Sequence, residues 1–449
     1  MPVNSNKTPE SGARLFILGL DGSPLPLLRR LIASGDLPNL ARIFESGDAI
    51  EMNSALPDVS AVAWTSINTG KNPGKHGIYG FVDRKPGSNQ IEVMTARHVR
   101  ARTIWELVSD AGRRAIAVNV PLSFPPQRIN GIVVSDFLAP SLSKAVFPLS
   151  VLPTLESIGY RIDTDPWVAR QSIDAFIDDF NVTADKRAEA VLRLMHTEPW
   201  DLFMVVFMET DRLHHFLWGY MEEGHPRHGG QFLDAYRRID QLVGKIVACL
   251  NDDDNLIILS DHGFTSLKKE LYLNAWLEDE GYLSFLPGRE RGLATIARSS
   301  RAYSLDPGRI YINQSEREPG GSVSPSDATS LIQELHHRMG ALTDPEDGTP
   351  MVDIVYRREE IYEGPEFGRA PDLLVMPRDG YDIKGTLEAT ALTGRGALVG
   401  MHTYDRATLF VRGRRLRAGP ASVRDVLPTA CELLDLPCPP DVDGRSMLT

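Results

Sequence analysis

Four uninterrupted apolar runs constrain this chain more than any other feature: LFILGL (Leu15–Leu20), AIAVNV (Ala115–Val120), LFMVVFM (Leu202–Met208) and NLIILS (Asn255–Ser260). Each is of strand length. Continuous rather than alternating apolarity marks strands covered on both faces, as in parallel sheets. Between the runs lie amphipathic stretches with helical spacing, such as TIWELVSDAG (Thr103–Gly112) and DAYRRIDQLVGKIVACLN (Asp234–Asn251). This alternation predicts an α/β fold: a doubly wound, mostly parallel sheet with helices on both faces. Residues 13–267 and 396–449 keep that grammar and are assigned to the core. Residues 268–395, rich in Gly, Pro and charge, are expected to form an inserted cap over the sheet. Residues 139–178 break the rhythm more briefly and are expected to be a second, smaller insertion.

The 60 acidic residues outweigh the 48 basic ones, for a formal charge of -12. An acidic surface repels a phosphate backbone, so a nucleic-acid polymer is not an expected partner. Leu202–Met208, the longest apolar run, falls far short of the ~20 residues that span a bilayer, and no membrane association is expected. The N-terminal MPVNSNKTPESGAR lacks the apolar centre of a signal peptide. Cys249, Cys431 and Cys438 form no C-x-x-C pair, and three sparse cysteines suit a reducing compartment. A cytoplasmic location is therefore expected. Oligomeric state is not legible.

The polar residues that close the apolar runs carry the functional signal. LFILGL ends in Asp21, LFMVVFM leads to Glu209-Thr210-Asp211 with His215 four positions on, and NLIILS ends in Asp261-His262-Gly263. In open α/β sheets, ligands bind beyond the carboxyl ends of the strands. Three strands thus deliver carboxylates, and two deliver imidazoles, to one edge. An aspartate in such a place commonly caps the next helix. A cluster of them is costly without a cation, and carboxylate with imidazole is a ligand set for Zn²⁺ or a similar divalent ion. The spacing of Asp211 and His215 puts both on one helical face. In PDVSAVAWTSINTGKNPGKHGIYGF (Pro57–Phe81), Ser60 precedes a helix-like stretch. A helix N-terminus there would offer free N–H groups and a positive dipole end to a phosphate, although a serine in that position is most often just the N-cap. His214 is read as packing or as supporting the ligands from behind, and His76 as fixing the turn. The tryptophans, including Trp64, are read as core.

At these residues the chain resembles the alkaline phosphatase superfamily, in its type I phosphodiesterase/nucleotide pyrophosphatase branch. The likeness runs through LFILGLDG, AWTSINTGKNPGKHGIYGF, ETDRLHHFLW, LSDHGF, LYLNAWLEDEGYL, GMHTYDRATLFVRG and VRDVLPTACELLDLPCPPDVDGRS. The resemblance implies two divalent ions, most simply Zn²⁺, with Mn²⁺ also accepted by such ligands. Asp21, Asp261 and His262 would hold one ion and Asp211, His215 and His402 the other. Ser60 would touch the first ion and act as the nucleophile. The implied activity is hydrolysis of a small phosphate ester, a phosphodiester or pyrophosphate, through a phospho-serine. A phosphomonoesterase on the same site and a non-catalytic metal-binding module are the alternatives. A sulfatase is disfavoured, because Ser60-Ala61-Val62-Ala63 lacks the Pro-x-Arg signature. Two departures from the better-known pyrophosphatases are expected to matter: Ser60 stands for their threonine, and Ala63 for an oxyanion-donating asparagine three positions on. Lys71, Lys75 or nothing would replace the missing donor, and Lys71, Lys75 or an arginine such as Arg84 could fold back as the extra cation that a monoester needs. Val62 and Trp64 are expected to wall the cleft for a second ester arm.

Overall fold

All four apolar runs are strands of one sheet. The computed structural model describes residues 12–449, so the segment 1–11, most of the stretch read as lacking a signal peptide, lies outside the described residues. In chain order the sheet's strands are β1 (Leu15–Leu20), β2 (Gly47–Met52), β3 (Ala115–Val118), β4 (Gly131–Val134), β5 (Val146–Phe147), β6 (Leu202–Phe207) and β7 (Asn255–Leu259). A two-stranded ladder, β8 (Gly263–Ser266) with β9 (Gly400–Thr403), stands apart from it, and β10 (Ala407–Arg412) completes the sheet. The spatial order is β2-β10-β7-β1-β6-β3-β4-β5. β7, β1, β6, β3 and β4 run parallel, while β10 and β5 pair antiparallel towards the edges. The second run, AIAVNV, stops short at Val118 because Asn119 takes a left-handed φ of 58°.

Burial on both faces follows the pleat. Phe16, Leu18 and Leu20 of β1, with Phe203, Val205 and Phe207 of β6, join one hydrophobic cluster. Leu15 and Ile17, with Leu202, Met204 and Val206, join another on the opposite face. Against the first pack α2 (Ile173–Thr197), α3 (Glu209–Glu222) and α4 (His228–Val247); α1 (Ser60–Thr69) packs against the second. The helix read at Asp234–Asn251 begins earlier and ends sooner than the periodicity suggested.

Residues 139–178 are not a second insertion. They supply the edge strand β5, and Ala145, Val146, Leu155, Ile158 and Phe176 belong to the first sheet cluster. Within 268–395, by contrast, a four-stranded and a three-stranded sheet form, with a hydrophobic cluster running from Leu271 to Ile383.

Candidate active site

Asp21, Asp211 and Asp261 follow the carboxyl ends of β1, β6 and β7, which are adjacent in the sheet with β1 in the middle. The backbone around Asp21 admits little variation. A Cβ on Gly19 would lie 2.4 Å from the Trp64 ring, and Gly22 has a left-handed φ of 64° with His262 close by. Trp64 Nε1 donates to Asp21 Oδ2 at 2.7 Å, and Gly22 N donates to Asp261 Oδ1 at 3.1 Å. His262 Nε2 lies 3.6 Å from Asp21 Oδ1 and 3.4 Å from Asp261 Oδ2. All three side chains are sealed from solvent.

Asp211 and His215 sit one helical turn apart on α3, with His215 Nε2 3.4 Å from Asp211 Oδ1. His402 arrives from β9, which pairs with β8 so that His402 stands opposite Phe264. Its Nε2 lies 3.1 Å from both Asp211 Oδ1 and His215 Nε2. The rings of His402 and His262 stack with centroids 3.6 Å apart, so the two groups adjoin. Each group brings its donor atoms within 4.8 Å of one another. The structure therefore assembles the six carboxylate and imidazole residues into two trios.

The imidazoles are oriented alike. His215, His262 and His402 each direct Nδ1 at a backbone carbonyl, of Gly400 (3.1 Å), Gly263 (3.0 Å) and Asp58 (2.9 Å). A protonated Nδ1 held in this way leaves Nε2 of His215 and His262 facing the trio with its lone pair, the arrangement usual behind metal-ligating histidines, whereas Nε2 of His402 would present one on giving up the proton it shares with Asp211. Burial, reinforced by Asp261 and Asp211, pushes the Asp21 carboxyl well above the usual range, and burial pushes Asp261 up to about 7. Burial lowers His262 to about 3 and His215 to about 4. Burial acts to lower His402 too, but the hydrogen bond and charge of Asp211 raise it to about 9. Asp261 Oδ2 is buried without a hydrogen-bond partner. An orphaned carboxylate oxygen among repelling carboxylates and neutral imidazoles suits a divalent cation, and the residues present fit one in each trio.

Ser60 is the first residue of α1. Val59, not Ser60, occupies the N-cap position, so the serine hydroxyl is not spent on capping. Its Oγ lies 3.5 Å from Asp21 Oδ1 and 3.4 Å from His262 Nε2. It faces a cleft of about 450 Å³ that Asp211, His215 and His402 also line. Val59, Phe81, Phe137, Met208 and Met401 form its apolar wall on the sheet side; Asp306, Val375, Met376, Asp382, Ile383 and Lys384 approach from 268–395.

Several expectations need correction. Val62, Ala63 and Trp64 are buried in the sheet cluster and line no part of the cleft. Lys71 is tied to Asp441, Lys75 to Asp443 and Arg84 to Glu318, so none of these cations turns into the cleft. His214 and His76 behave as read: His214 stacks among Trp218, Phe232 and Phe264, and His76 accepts from Ile78 N in its turn. Sequence reading missed Arg212, which lines the cleft beside Asp211. The signal was its place in ETDRLHH, directly after a candidate ligand.

The chain belongs to the type I phosphodiesterase/nucleotide pyrophosphatase family, whose model matches residues 15–405. Its fold is similar to that of phosphonoacetate hydrolase from Sinorhizobium meliloti 1021 in complex with phosphonoformate (18% identity, 93% of this chain and 94% of that chain covered, TM-score 0.64). It is also similar to inactive murine ectonucleotide pyrophosphatase/phosphodiesterase 5 in complex with AMP (15% identity, 95% and 96% covered, TM-score 0.60). The human form of the latter matches at 16% identity, 96% and 97% coverage and TM-score 0.59. Among the described residues no helix is long and apolar enough to cross a membrane.

Proposed function

We propose that this protein hydrolyses phosphodiester or pyrophosphate bonds of a small-molecule substrate through a phospho-serine at Ser60, using two divalent ions. Asp21, Asp261 and His262, with Ser60, would hold one ion, and Asp211, His215 and His402 would hold the other. Zn²⁺ suits the mixed carboxylate and imidazole donors best, with Mn²⁺ as the substitute. The observation that carries this reading is the uncapped Ser60 hydroxyl beside Asp21 and His262, at the floor of a cleft lined by the second trio. When bound, the ions supply Lewis-acid stabilisation to the attacking and departing oxygens.

Ser60 Oγ forms the bond to phosphorus while the opposite ester oxygen departs, and water then breaks the Ser60–phosphate bond. The N-terminus of α1 adds backbone N–H groups and a dipole that favour the phosphoryl charge. The apolar wall of Phe81, Phe137 and Met208 suits a second ester arm. Residues 268–395 act as the cap that selects the substrate, over a core of 13–267 and 396–449. Cys249, Cys431 and Cys438 are free thiols, which suits a cytoplasmic enzyme.

The test is a panel of aryl mono-, di- and pyrophosphate esters with metal-reconstituted protein. Bis(p-nitrophenyl) phosphate is expected to show higher kcat/KM than p-nitrophenyl phosphate at neutral pH. A tenfold preference for the monoester, about 1.4 kcal/mol in transition-state binding, overturns the diester assignment. A phosphomonoesterase on the same residues is the second reading, favoured by the Arg212 guanidinium in the cleft.

A further inference from the structure

Arg212 and Lys384 are the lysine or arginine side chains that line the cleft, and they differ in what they have left to offer. Lys384 pairs with Asp382 at 2.5 Å and feels the nearby charges of Asp306 and Glu270. It is neutralised within its own wall. Arg212 is held differently. Its Nε and Nη2 donate to Asp163 Oδ2 at 3.3 and 2.9 Å, and the Phe137 ring lies 5.1 Å from the guanidinium carbon. Nη1 reaches only the far oxygen of Asp211, at 3.5 Å. A guanidinium has five N–H donors in a fixed fork, so fixing Nε and one Nη2 hydrogen leaves three others on a residue that lines the cleft. The side chain keeps 19% of its surface exposed there. An ion held by Asp211 would draw on that carboxylate and leave Asp163 as the main counter-charge to Arg212.

We propose that Arg212 contacts the substrate: its Nη1 edge receives the phosphoryl oxygen that neither Ser60 nor the donor trios face, and so admits groups with a third charged oxygen. The chemical class is a dianionic phosphoryl or phosphonyl group, as in a monoester or a phosphonate. A diester carries an ester arm in place of that oxygen and gains little from a cation there. Asp163 is the positioning residue, because it fixes the fork's orientation. This inference rests on the proposed phosphoryl site at Ser60, and its test is built so that each can fail alone.

Binding of phenylphosphonate, a non-hydrolysable dianion, and of its monoanionic methyl ester is measured by calorimetry on metal-loaded Ser60→Ala protein, with and without Arg212→Ala. Loss of the guanidinium is expected to weaken phenylphosphonate by about tenfold or more while the methyl ester changes by less than about threefold. Asp163→Asn shifts the same ratio in the same direction by a smaller factor, and metal content stays constant by elemental analysis. In turnover, Arg212→Ala lowers kcat/KM for p-nitrophenyl phosphate at least tenfold more than for bis(p-nitrophenyl) phosphate, and added guanidinium ion restores part of the monoester rate. Equal weakening of both phosphonates, or of neither, overturns the role of Arg212. A selective binding effect in a protein whose turnover survives Ser60→Ala retains Arg212 and discards the serine nucleophile.

Discussion

The two donor trios use the same residue types in opposite proportion and at different depths. Asp21, Asp261 and His262 show no side-chain exposure, whereas His215 and His402 keep 17% and 20% of theirs on the cleft. The buried trio holds two carboxylates to one imidazole; the outer holds one to two. Without a cation, the buried carboxylates resist ionisation, with Asp261 pushed up to about 7. The outer trio compensates itself, because Asp211, despite burial, is held well below the usual range by His215 and His402, and His402 is raised to about 9. The buried trio thus meets its charge by holding protons, which a cation would displace on the proposed reading, while the outer one can rest as an Asp–His⁺ pair. Stronger and slower metal binding is expected in the buried trio.

Removing Ser60 tests whether chemistry can be separated from metal binding at the point where the trios meet. Ser60→Ala is expected to cut kcat by about three orders of magnitude or more while elemental analysis still finds two ions per chain; retention of more than about a tenth of the rate favours direct attack by water. Asp261→Asn against His402→Ala then probes the contrast itself. The first is expected to remove one ion and nearly all activity at any metal concentration. The second is expected to weaken one ion by more than the about 10–100-fold that loss of a partner behind a ligand costs, because His402 is itself a proposed ligand, with activity recovered in excess Zn²⁺. If Asp261→Asn is the variant rescued by metal, the ranking of the trios is reversed.

Graded chelation is a milder version of the same test. The first ion to leave should abolish turnover with little change in Tm; the second, from the buried trio, should lower Tm. Simultaneous loss of both ions would show that the trios bind as one unit. The smallest effect concerns pH. Asp261 and Asp136 are pushed by burial to about 7 and Asp58 to about 6, above their unfolded values. Stability from such groups is fully present below their unfolded pKa, about 4, and is lost as pH rises through 6–7. Below about pH 6.5 the buried His76, His214, His215 and His262, held at low pKa by burial, add stability as pH rises and oppose this loss. The chelated protein is thus expected to lose Tm only as pH rises from about 6.5 to about 7. The metal-loaded protein should lose less, since a bound ion offsets the penalty at Asp261. Parallel Tm profiles would mean that Asp261 is not a ligand.

What was legible in the chain reflects the range of the interactions involved. Strand identity came from continuous apolar runs, a local property. Asp211 and His215 needed only helical spacing, and Asp261-His262 only the end of a strand. His402 could be placed by resemblance, but its approach depends on the register of β9 against β8, set across more than a hundred residues. The availability of cations was not legible at all. Lys71, Lys75 and Arg84 looked free because their partners Asp441, Asp443 and Glu318 lie hundreds of positions away. Residues 139–178 misled because turn-rich composition hid a two-residue edge strand whose partner, β4, fixes its place.

The order in which the ligands occur along the chain also sets a timetable for synthesis. The three donors of the buried trio have all been made once residue 262 is added, whereas the outer trio waits for His402, delivered after the whole of 268–395. β10, which flanks β7, comes later still. A growing polypeptide on the ribosome thus carries a complete set of donors for the buried ion well before it carries those for the outer one. Metal acquired during translation would enter in that sequence, and the hydrolytic cleft would remain silent until the last part of the sheet had closed.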